Sequence, residues 1–321
     1  MAHIFKELSN SRGGFIPALG RDDWWENGNS GNHISQQDGD PRKPGLRGII
    51  IYPMNALVED QLRRLRMALD SEEMHNLYSR MFGAKVRYAK EQNFKPSVQS
   101  IIDSVNRKTK IVFLANPNNP TGTYLDASDL LDLRKKLRSD ILLVIDDAYH
   151  EFITDPNYSS GLKLFAKSQN VLVTRTFSKI YGLAGLRIGW GYGPKKIIKK
   201  LYEIKPPFNV SRPALFAATQ AVKDTKWLNK AIKHNNFWAK KIFEVLDEIG
   251  ISTNKTNVNF FLLNFDFVNQ TALQVFNKLA NSGILVRQMD VYSIKNSLRV
   301  TIGNSRENKK FISVLRRIFN V

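Results

Sequence analysis

The sequence predicts an α/β protein in which helices cover a mostly parallel sheet in three layers, followed by a smaller α+β domain. Two observations lead to this fold class. From about Lys85 onward, short apolar runs alternate with longer segments of helical periodicity, which is the pattern of strands joined by crossover helices. Beyond Pro213 helical patterns dominate and few apolar runs of strand length remain.

Four apolar runs supply the strands of the predicted large sheet. They are Ile111–Ala115, Ile141–Ile145, Val171–Thr174 and Leu186–Trp190. Between the first two lies Asp126–Arg138, whose acidic first residue is a suitable N-terminal cap for a helix. Because a crossover segment returns the chain to the same end of the sheet, these runs predict mostly parallel pairing.

The C-terminal part predicts a second, smaller domain built around a long helix at Trp227–Ile249. Two apolar runs, Val258–Asn264 and Leu298–Ile302, read as strands, and the latter alternates between apolar and polar residues. Helical periodicity at Gln270–Ala280 and Arg306–Phe319 supplies the helices that pack on them. The expected class of this part is α+β.

Charge divides the chain near residue 73. Residues 1–73 hold 9 Lys and Arg against 11 Asp and Glu, whereas residues 74–321 hold 39 against 18. This change suggests two joined coding sequences of different origin. We therefore expect an unrelated, loop-rich segment with one strand–helix unit at 1–73, a large domain truncated on its N-terminal side at 74–224, and a small domain at 225–321.

The composition excludes several classes of protein. The chain has no cysteine, so disulfide bonds, thiol catalysis and cysteine-ligated zinc are excluded, and the histidines lack metal-ligand spacing. No apolar run approaches the ~20 residues of a membrane span, and no secretory signal is visible. We expect a cytoplasmic protein with no metal and no membrane contact.

The net charge of +19 raises the question of nucleic-acid binding, because clustered Lys and Arg release counterions from phosphates. The lysines are instead scattered along helical patterns, which is typical of a solvated surface. A nucleic-acid partner is therefore not expected. A basic surface would still attract an anionic substrate or cofactor.

The segment Asn116–Gly122 follows the first predicted strand and reads Asn-Pro-Asn-Asn-Pro-Thr-Gly. Because Asn, Pro and Gly all favour turns, a plain tight turn explains the composition equally well. Its position is what indicates a site, since open α/β sheets bind ligands at the carboxyl ends of their strands.

The second strand runs into Asp146, which is followed by Asp-Ala-Tyr149. A carboxylate at the end of an apolar strand is costly unless it has a partner. The acidic box of a nucleotide hydrolase also follows an apolar strand, but no Gly-x-x-x-x-Gly-Lys-Ser/Thr phosphate loop occurs in the chain. A cationic ligand group is therefore the expected partner of Asp146.

The third strand leads into Thr-Phe-Ser-Lys-Ile-Tyr-Gly-Leu-Ala-Gly-Leu-Arg, which starts at Thr176. Lys179 is a candidate nucleophile and general base, because an amine can form an imine with an aldehyde and later carry a proton. The hydroxyls of Thr176 and Ser178 and the guanidinium of Arg187 could bind a phosphate dianion beside it. This motif is the most specific in the chain.

Two arginines mark the small domain as part of a site. Arg299 lies inside the alternating strand near the C-terminus, and Arg287 follows an apolar pair upstream. A guanidinium inside a strand needs an anion, since an unpaired buried charge is unfavourable. Both are candidate substrate-binding residues, and exposed strand arginines are the simpler alternative.

From about Met74 to Val321 these motifs resemble the fold-type I aminotransferases that use pyridoxal 5′-phosphate, in particular the histidinol-phosphate branch. The resemblance implies a fold-type I large domain, with Lys179 as the Schiff-base lysine and Asp146 beside the cofactor ring nitrogen. It implies that Asn119 and Tyr149 hydrogen-bond the cofactor's phenolic oxygen.

The resemblance also assigns the anion-binding residues. Thr176, Ser178 and Arg187 correspond to residues that hold the cofactor phosphate. Arg299 corresponds to the arginine that holds the substrate carboxylate in ordinary aminotransferases and the substrate phosphate in the histidinol-phosphate branch, with Arg287 assisting.

The implied reaction is transamination between histidinol phosphate and 2-oxoglutarate, that is, an amino donor and a 2-oxo acid, in histidine biosynthesis. An aromatic amino-acid aminotransferase or a relative of phosphothreonine decarboxylase would share nearly every motif. Relatives are homodimers with active-site residues shared across the interface, so a symmetric homodimer is expected.

The N-terminal segment departs from this family. The string that starts at Tyr52, Tyr-Pro-Met-Asn-Ala-Leu, resembles a segment of superfamily 2 helicases, which suggests a helicase-derived, nucleic-acid-binding fragment as an alternative. Ser71–Glu73 stands where the family has an aromatic that stacks on the cofactor ring. A phosphate-binding loop and an N-terminal arm of the family are not found in residues 1–73. An inactive chimeric protein is therefore a further alternative.

Overall fold

The computed structural model of the protein describes residues 85–205, 209–255, 258–292 and 294–321. They belong to one compact unit, Gly83–Val321, and their strands form two four-stranded sheets. The expected strand–helix unit within residues 1–73 lies outside the described residues, as does Ser71–Glu73.

The first sheet has its strands in the order β1-β2-β3-β4. They are β1 (Ile111–Ala115), β2 (Leu142–Asp146), β3 (Val171–Thr176) and β4 (Gly189–Tyr192). The first three run parallel, because the chain crosses back between them, whereas β4 pairs antiparallel with β3. The sheet is therefore mostly parallel, as predicted, and β1 is one edge of it in the described part of the chain.

The fourth strand begins later than the sequence indicates. Within the predicted strand Leu186–Trp190, the chain instead completes a short 3-10 helix, Ala184–Leu186, and Arg187 takes a left-handed φ of 50°. An extended strand cannot contain that conformation. β4 starts at Gly189, where a Cβ would lie 2.6 Å from the carbonyl oxygen of Arg175, so only glycine permits this close approach of β4 to β3.

Five α-helices of the described part of the chain accompany the first sheet. α2 begins after Asp126, whose side chain accepts a hydrogen bond of 2.8 Å from the backbone nitrogen of Asp129, so the predicted acidic cap is present. The helix ends two residues before the predicted Arg138, because Leu137 is already extended. The helices are α1 (Val98–Ser104), α2 (Ala127–Lys136), α3 (Gly161–Phe165), α4 (Lys195–Ile204) and α5 (Arg212–Lys223).

An aliphatic core lies between the first sheet and helices α1 to α3. Leu143 and Ile145 of β2 are fully buried there with Leu133 of α2. Successive residues of a strand point to opposite faces, so β1 also presents side chains away from this core. Its Ile111 is 47% exposed and Phe113 is 76% exposed. The face of β1 that carries these two residues is therefore an open apolar surface.

The second sheet is antiparallel and has the strand order β5-β6-β8-β7. Its longer strands, β6 (Phe260–Asn264) and β8 (Ser297–Thr301), match the two apolar runs of the sequence. β5 (Ser252–Thr253) and β7 (Arg287–Gln288) are two-residue strands that the sequence pattern does not reveal.

Three helices pack with the second sheet around a separate core. Leu246, Phe261 and Leu315 lie at its centre and are at most 1% exposed. The C-terminal helix begins with a capping box in which Asn304 and Glu307 bind each other's backbone nitrogens. The helices are α6 (Thr225–Ile249), α7 (Ala272–Asn281) and α8 (Ser305–Phe319).

The predicted α/β class is thus confirmed, with a mostly parallel sheet first and a smaller mixed assembly after it. The three long helical segments predicted at the C-terminus all form; the ends at Ile249 and Phe319 are as predicted, and the other ends differ by one or two residues. Within the described ranges, no helix combines the length and the apolar character that crossing a bilayer requires.

Candidate active site

The ends of the three parallel strands bring together the predicted site residues that lie in or directly after the first sheet, whereas Arg287 and Arg299 belong to the second sheet. The last residues of β1 and β2, Ala115 and Asp146, are paired in register, and Asp146 is paired with Thr174 of β3. The segments that follow these strands therefore leave the sheet side by side. Asn119 and Lys179 lie in two of these segments.

Asp146 projects from the end of β2 and is held by a neighbouring threonine. The Thr174 hydroxyl donates a hydrogen bond of 3.1 Å to Asp146 Oδ1. Burial by the surrounding protein raises the pKa of Asp146 although its side chain still reaches solvent. The Thr174 hydrogen bond, the backbone nitrogen of Ala148 and the charge of Lys179 all act to lower that pKa. Lys179 is therefore close enough to Asp146 to influence its protonation.

Lys179 lies against an aromatic side chain in the middle of the site. Its Nζ is 5.1 Å from the centroid of the Tyr149 ring, a cation–π contact. Tyr149 is only 5% exposed and packs edge to face on Phe260, with the ring centroids 5.2 Å apart. The lysine amine is itself exposed, so it is held in place on one side and open to a ligand on the other.

Thr176, the last residue of β3, is linked through Ser178 to Arg187, and these three are the predicted phosphate-binding residues. The backbone nitrogen of Ser178 donates to Thr176 Oγ1 at 3.0 Å, and Arg187 Nη1 is 3.4 Å from Ser178 Oγ. Arg187 also donates to the Ala184 carbonyl at 2.9 Å. The left-handed backbone of Arg187, uncommon for a residue with a side chain, turns the chain where this guanidinium meets Ser178.

The Asn116–Gly122 turn is a rigid structure built on a buried asparagine. Asn116 is fully buried and exchanges two hydrogen bonds with the backbone of Leu125, at 3.0 and 2.7 Å. The backbone nitrogen of Gly122 donates to the Asn118 carbonyl at 2.8 Å. This frame leaves Asn119 exposed at the tip of the turn.

Arg299 of β8 reaches across to that turn. Its Nη1 donates a hydrogen bond to Asn119 Oδ1, and its guanidinium carbon lies 5.1 Å from the centroid of the Phe260 ring. The Nε of Arg299 is buried and has no hydrogen-bond partner in the structure. A buried unsatisfied donor of this kind marks a place where a polar ligand would be stabilised.

Arg287 lies directly opposite Arg299, because β7 pairs with β8 in that register. Like charges in facing positions of adjacent strands destabilise a sheet. Burial lowers the pKa of Arg299, and the charge of Arg287 lowers it further. Arg287 also stacks on Tyr292, with 5.1 Å between the guanidinium carbon and the ring centroid. Two facing guanidiniums, one of them largely buried, form a site suited to an anion.

The structure therefore places the nine site residues predicted from the sequence in three groups. Asp146, Tyr149 and Lys179 form the central group, and Thr176, Ser178 and Arg187 form a second group that begins at the last residue of β3. The third group consists of Asn119, Arg287 and Arg299, and it joins the two sheets. The predicted role of Asn119 uses its amide nitrogen, whereas the contact in the structure uses its amide oxygen, which Arg299 engages.

Two supporting residues escape the sequence reasoning. Thr174 fixes Asp146, and Phe260 lies under both Tyr149 and Arg299. The signal for Thr174 is its two-residue spacing from Thr176, which places both threonines on one face of β3. Phe260 has no such signal, because it is one apolar residue in an apolar strand.

His150 directly follows Tyr149 in the chain. Its ring stacks on Tyr158 with the centroids 5.8 Å apart. Burial, with a smaller contribution from Arg175, lowers the pKa of His150 to about 4, so the ring is neutral near pH 7. Among the described residues, no cluster of three or more His, Cys, Asp or Glu side chains could hold a metal ion.

Comparison with known proteins gives a consistent set of relatives. The profile of the family "Aminotransferase class I and II" matches residues 73–315. The chain is 53% identical to histidinol-phosphate aminotransferase of Pelagibacter ubique over 248 residues, which are 77% of this chain and 69% of that protein. It is 38% identical to the Maricaulis maris protein of the same name, over 75% of this chain and 67% of that protein.

Solved structures agree on the fold. Histidinol-phosphate aminotransferase from Sinorhizobium meliloti, solved in complex with pyridoxal-5′-phosphate, superposes with a TM-score of 0.70 at 23% identity. The match covers 78% of this chain and 68% of that one. The likeness of the N-terminal segment to a helicase gains no support from these relatives, because the family profile begins at residue 73.

Proposed function

The chain belongs to the aminotransferase class I and II family, and on that premise we propose that it transfers the amino group of histidinol phosphate to 2-oxoglutarate. It is a transaminase that uses pyridoxal 5′-phosphate and takes an amino donor and a 2-oxo acid. The substrate is the proposed part. It rests on the facing pair of Arg287 and Arg299 together with the shared name of the relatives.

The donor set of the site fits this cofactor. The cofactor has a basic ring nitrogen, a phosphate and an aldehyde, and the site offers a carboxylate, a group of anion-binding donors and an amine. The carboxylate of Asp146 and the amine of Lys179 are both open to a ligand. The buried ring of Tyr149 lies against the Lys179 amine.

Pyridoxal phosphate, when bound, supplies an aldehyde and a conjugated ring that withdraws electrons from the α-carbon of an amino donor. We propose that Lys179 holds the cofactor covalently and then moves the proton at the reacting carbon. Its contact with the Tyr149 ring keeps the side chain in place, so that the amine is positioned for both roles.

Asp146 is proposed to hold a proton on the ring nitrogen of the cofactor. A carboxylate does this only while it is ionised, and burial acts against that state. The hydrogen bond from Thr174 and the charge of Lys179 compensate part of this effect.

Thr176, Ser178 and Arg187 are proposed to bind the cofactor phosphate. Their contacts with one another already place two hydroxyls and one guanidinium together before any ligand binds. Such preorganisation lowers the ordering cost of anion binding.

The substrate anion is proposed to bind between Arg299 and Arg287, with Asn119 on the other side of Arg299. A phosphate dianion suits two guanidiniums better than a single carboxylate does, because it carries more charge and more acceptor oxygens. This is the observation that favours histidinol phosphate over an aromatic amino acid. The carboxylate of 2-oxoglutarate would use the same pair in the second half of the reaction.

We propose three further properties at the level of the whole protein. The division between a cofactor-binding part at 74–224 and a small domain at 225–321 falls between α5 and α6, around Asp224. A symmetric homodimer and a cytoplasmic location are expected from the family resemblance.

A substrate panel tests the proposed function. The purified full-length protein, loaded with pyridoxal phosphate, is assayed with histidinol phosphate, histidinol, phenylalanine and phosphothreonine as donors and 2-oxoglutarate as acceptor. The expected result is that histidinol phosphate has the highest kcat/KM and that unphosphorylated histidinol is poor. Preference for phenylalanine would replace the proposal with an aromatic aminotransferase, and carbon dioxide release from phosphothreonine would replace it with a decarboxylase.

A further inference from the structure

A buried cluster of three charged residues lies close behind the strand ends of the site. It consists of Asp147, Glu151 and Arg175, which we call the charge cluster. Their side chains are 0%, 9% and 11% exposed. None of the three has a role in the reaction described above. Buried charges are rarely placed without purpose, because removing them from water is costly.

Arg175 joins the two carboxylates. Its Nη1 is 3.2 Å from Glu151 Oε1, and its Nε is 3.6 Å from Asp147 Oδ2. The same Asp147 oxygen accepts a hydrogen bond of 3.0 Å from the backbone nitrogen of Gly161. The Trp190 ring lies 5.5 Å from the guanidinium carbon. The arginine is therefore fixed by two ion pairs and one aromatic ring.

The charge cluster alternates along the chain with residues of the site. Asp147 follows Asp146, and Arg175 lies between Thr174 and Thr176 in β3. Because adjacent residues of an extended chain face opposite sides, the cluster and the site lie on opposite faces of the same two strand ends. The backbone nitrogen of Asp147 donates to the Thr174 carbonyl at 2.9 Å, which extends the pairing of the two strands past the end of β2.

We propose that Arg175 is a positioning residue: by binding Asp147 and Glu151 on one face, it holds Asp146 and Thr174 in register on the other. This inference rests on the proposed function only in taking Asp146 to be the ring-nitrogen partner of the cofactor. The Thr174 hydroxyl reaches Asp146 Oδ1 only while the two strand ends keep this register. Loss of Arg175 removes the ion pairs that tie β3 to the segment after β2, so the two strand ends lose this attachment.

The charges within the cluster support a mechanical role. Burial raises the pKa of Glu151, and burial raises the pKa of Asp147 to about 7 in spite of the charge of Arg175. One arginine thus serves two carboxyl groups, and Asp147 Oδ1 has no hydrogen-bond partner in the structure. A single substitution at Arg175 therefore disturbs both attachments at once.

The test uses the full-length protein and the variants Arg175→Gln, Arg175→Lys and Arg316→Gln. The control arginine, Arg316, forms an exposed ion pair of 2.6 Å with Glu248, which joins α8 to α6, two helices that pack with the second sheet. Amide hydrogen exchange is measured without cofactor in the peptides that contain Asp147 and β3. Affinity for pyridoxal phosphate is then measured by titration of the intrinsic fluorescence.

For Arg175→Gln we expect faster exchange at the two strand ends and an affinity for pyridoxal phosphate weaker by about tenfold or more, comparable to the loss of a supporting partner at a metal site. Arg175→Lys should change the exchange and the affinity less than Arg175→Gln does, because lysine keeps the positive charge. It should not restore them fully, because lysine lacks the planar guanidinium. Arg316→Gln should leave both unchanged. A folded Arg175→Gln protein with normal exchange and normal affinity would overturn the inference.

If Arg175→Gln does not fold, Glu151→Gln replaces it, because this variant removes one ion pair and keeps the side-chain shape. It should shift both measurements in the same direction by a smaller factor, and unchanged values would reject the positioning role. Failure of the unaltered protein to bind pyridoxal phosphate would instead reject the proposed function. The exchange comparison needs no cofactor and still decides the inference in that case.

Discussion

Arg299 donates a hydrogen bond to Asn119 although 180 residues of sequence separate them. One residue lies in β8 of the second sheet, and the other lies at the tip of the turn after β1 of the first. A second bond of the same kind runs from Asn254 Nδ2 to the Thr121 carbonyl at 3.3 Å. The candidate substrate site and the candidate cofactor site are therefore physically linked through one side-chain amide.

In Asn119→Asp, the new carboxylate should compete with the substrate anion for Arg299. The new carboxylate would form an ion pair with Arg299, and a hydrogen bond between charged groups contributes about 1.5–3 kcal/mol. We expect KM for histidinol phosphate to rise by about tenfold or more. Steady-state kinetics check this, with Asn119→Ala as the neutral control. Equal KM values for the two variants would contradict the competition.

Arg299→Gln should weaken the anionic substrate much more than the cofactor. Removing a guanidinium that faces a phosphate should lower kcat/KM for histidinol phosphate by about 100-fold, or about 3 kcal/mol. Arg287→Gln should have a smaller effect, since this side chain also stacks on Tyr292. Titration with pyridoxal phosphate provides the control. A larger loss of cofactor affinity than of substrate binding would reassign Arg299.

Lys179→Ala should abolish covalent attachment of the cofactor. The same change removes the proton carrier, and a positioned general base typically contributes about 10²- to 10⁴-fold to the rate. Reduction with borohydride followed by peptide mass spectrometry should find the cofactor on Lys179 in the unaltered protein. The exposed Lys200, in α4, provides the control variant Lys200→Ala, which should retain full labelling. Labelling at another lysine would show that Lys179 is not the lysine that binds the cofactor.

Thr174→Val should shift the acidic limb of the pH–rate profile to higher pH. The hydroxyl lowers the pKa of Asp146 by stabilising its ionised form, so its loss raises that pKa. A hydrogen bond to a charged group contributes more than one between neutral groups, so the shift to higher pH should be clearly measurable. Thr219→Val, on the exposed side of α5, is the control. A shift to lower pH would show that Asp146 does not set this limb.

The Asp147→Asn variant should become more stable relative to the unaltered protein as pH rises. Burial raises the pKa of folded Asp147 from 3.8 to about 7, so this group favours folding below pH 3.8 and loses that contribution as pH rises to about 7. Within that window each pH unit is worth up to about 1.4 kcal/mol. Denaturant titrations of both proteins at pH 5, 6 and 7 measure the difference.

His150 acts with the opposite sign in the same region, which is why the difference between variant and unaltered protein is needed. Burial lowers its folded pKa from 6.5 to about 4, so its contribution is present above pH 6.5 and declines as pH falls. This histidine is common to both proteins and largely cancels in the comparison. A constant difference from pH 5 to pH 7 would be inconsistent with a titrating Asp147.

The sequence predicts the large elements of this fold because their signals are local. The apolar run at Ile111–Ala115 is the observed β1 to the residue, and the acidic cap of α2 is present at Asp126. β7 is only two residues long, so its apolar period cannot be recognised. The start of β4 depends on the left-handed backbone of Arg187, which no residue preference indicates.

The candidate site is likewise predictable from the sequence only where its signals are local. Lys179 and Asp146 can be predicted because each belongs to a short motif at the end of a recognisable apolar strand. The pairing of Asn119 with Arg299, and of Arg175 with Asp147, depends on which strands become neighbours. That information arises from packing over long sequence separations, and a single sequence does not display it.

The open apolar face of β1 has a consequence for the behaviour of the protein in solution. Ile111 and Phe113 lie on a strand that is an edge of its sheet in the described part of the chain, and such edges invite other chains to pair with them. The large excess of positive charge keeps molecules apart by repulsion. Salt screens that repulsion and leaves the apolar attraction intact, so dilute buffers should favour dispersed protein and concentrated salt should drive it to associate.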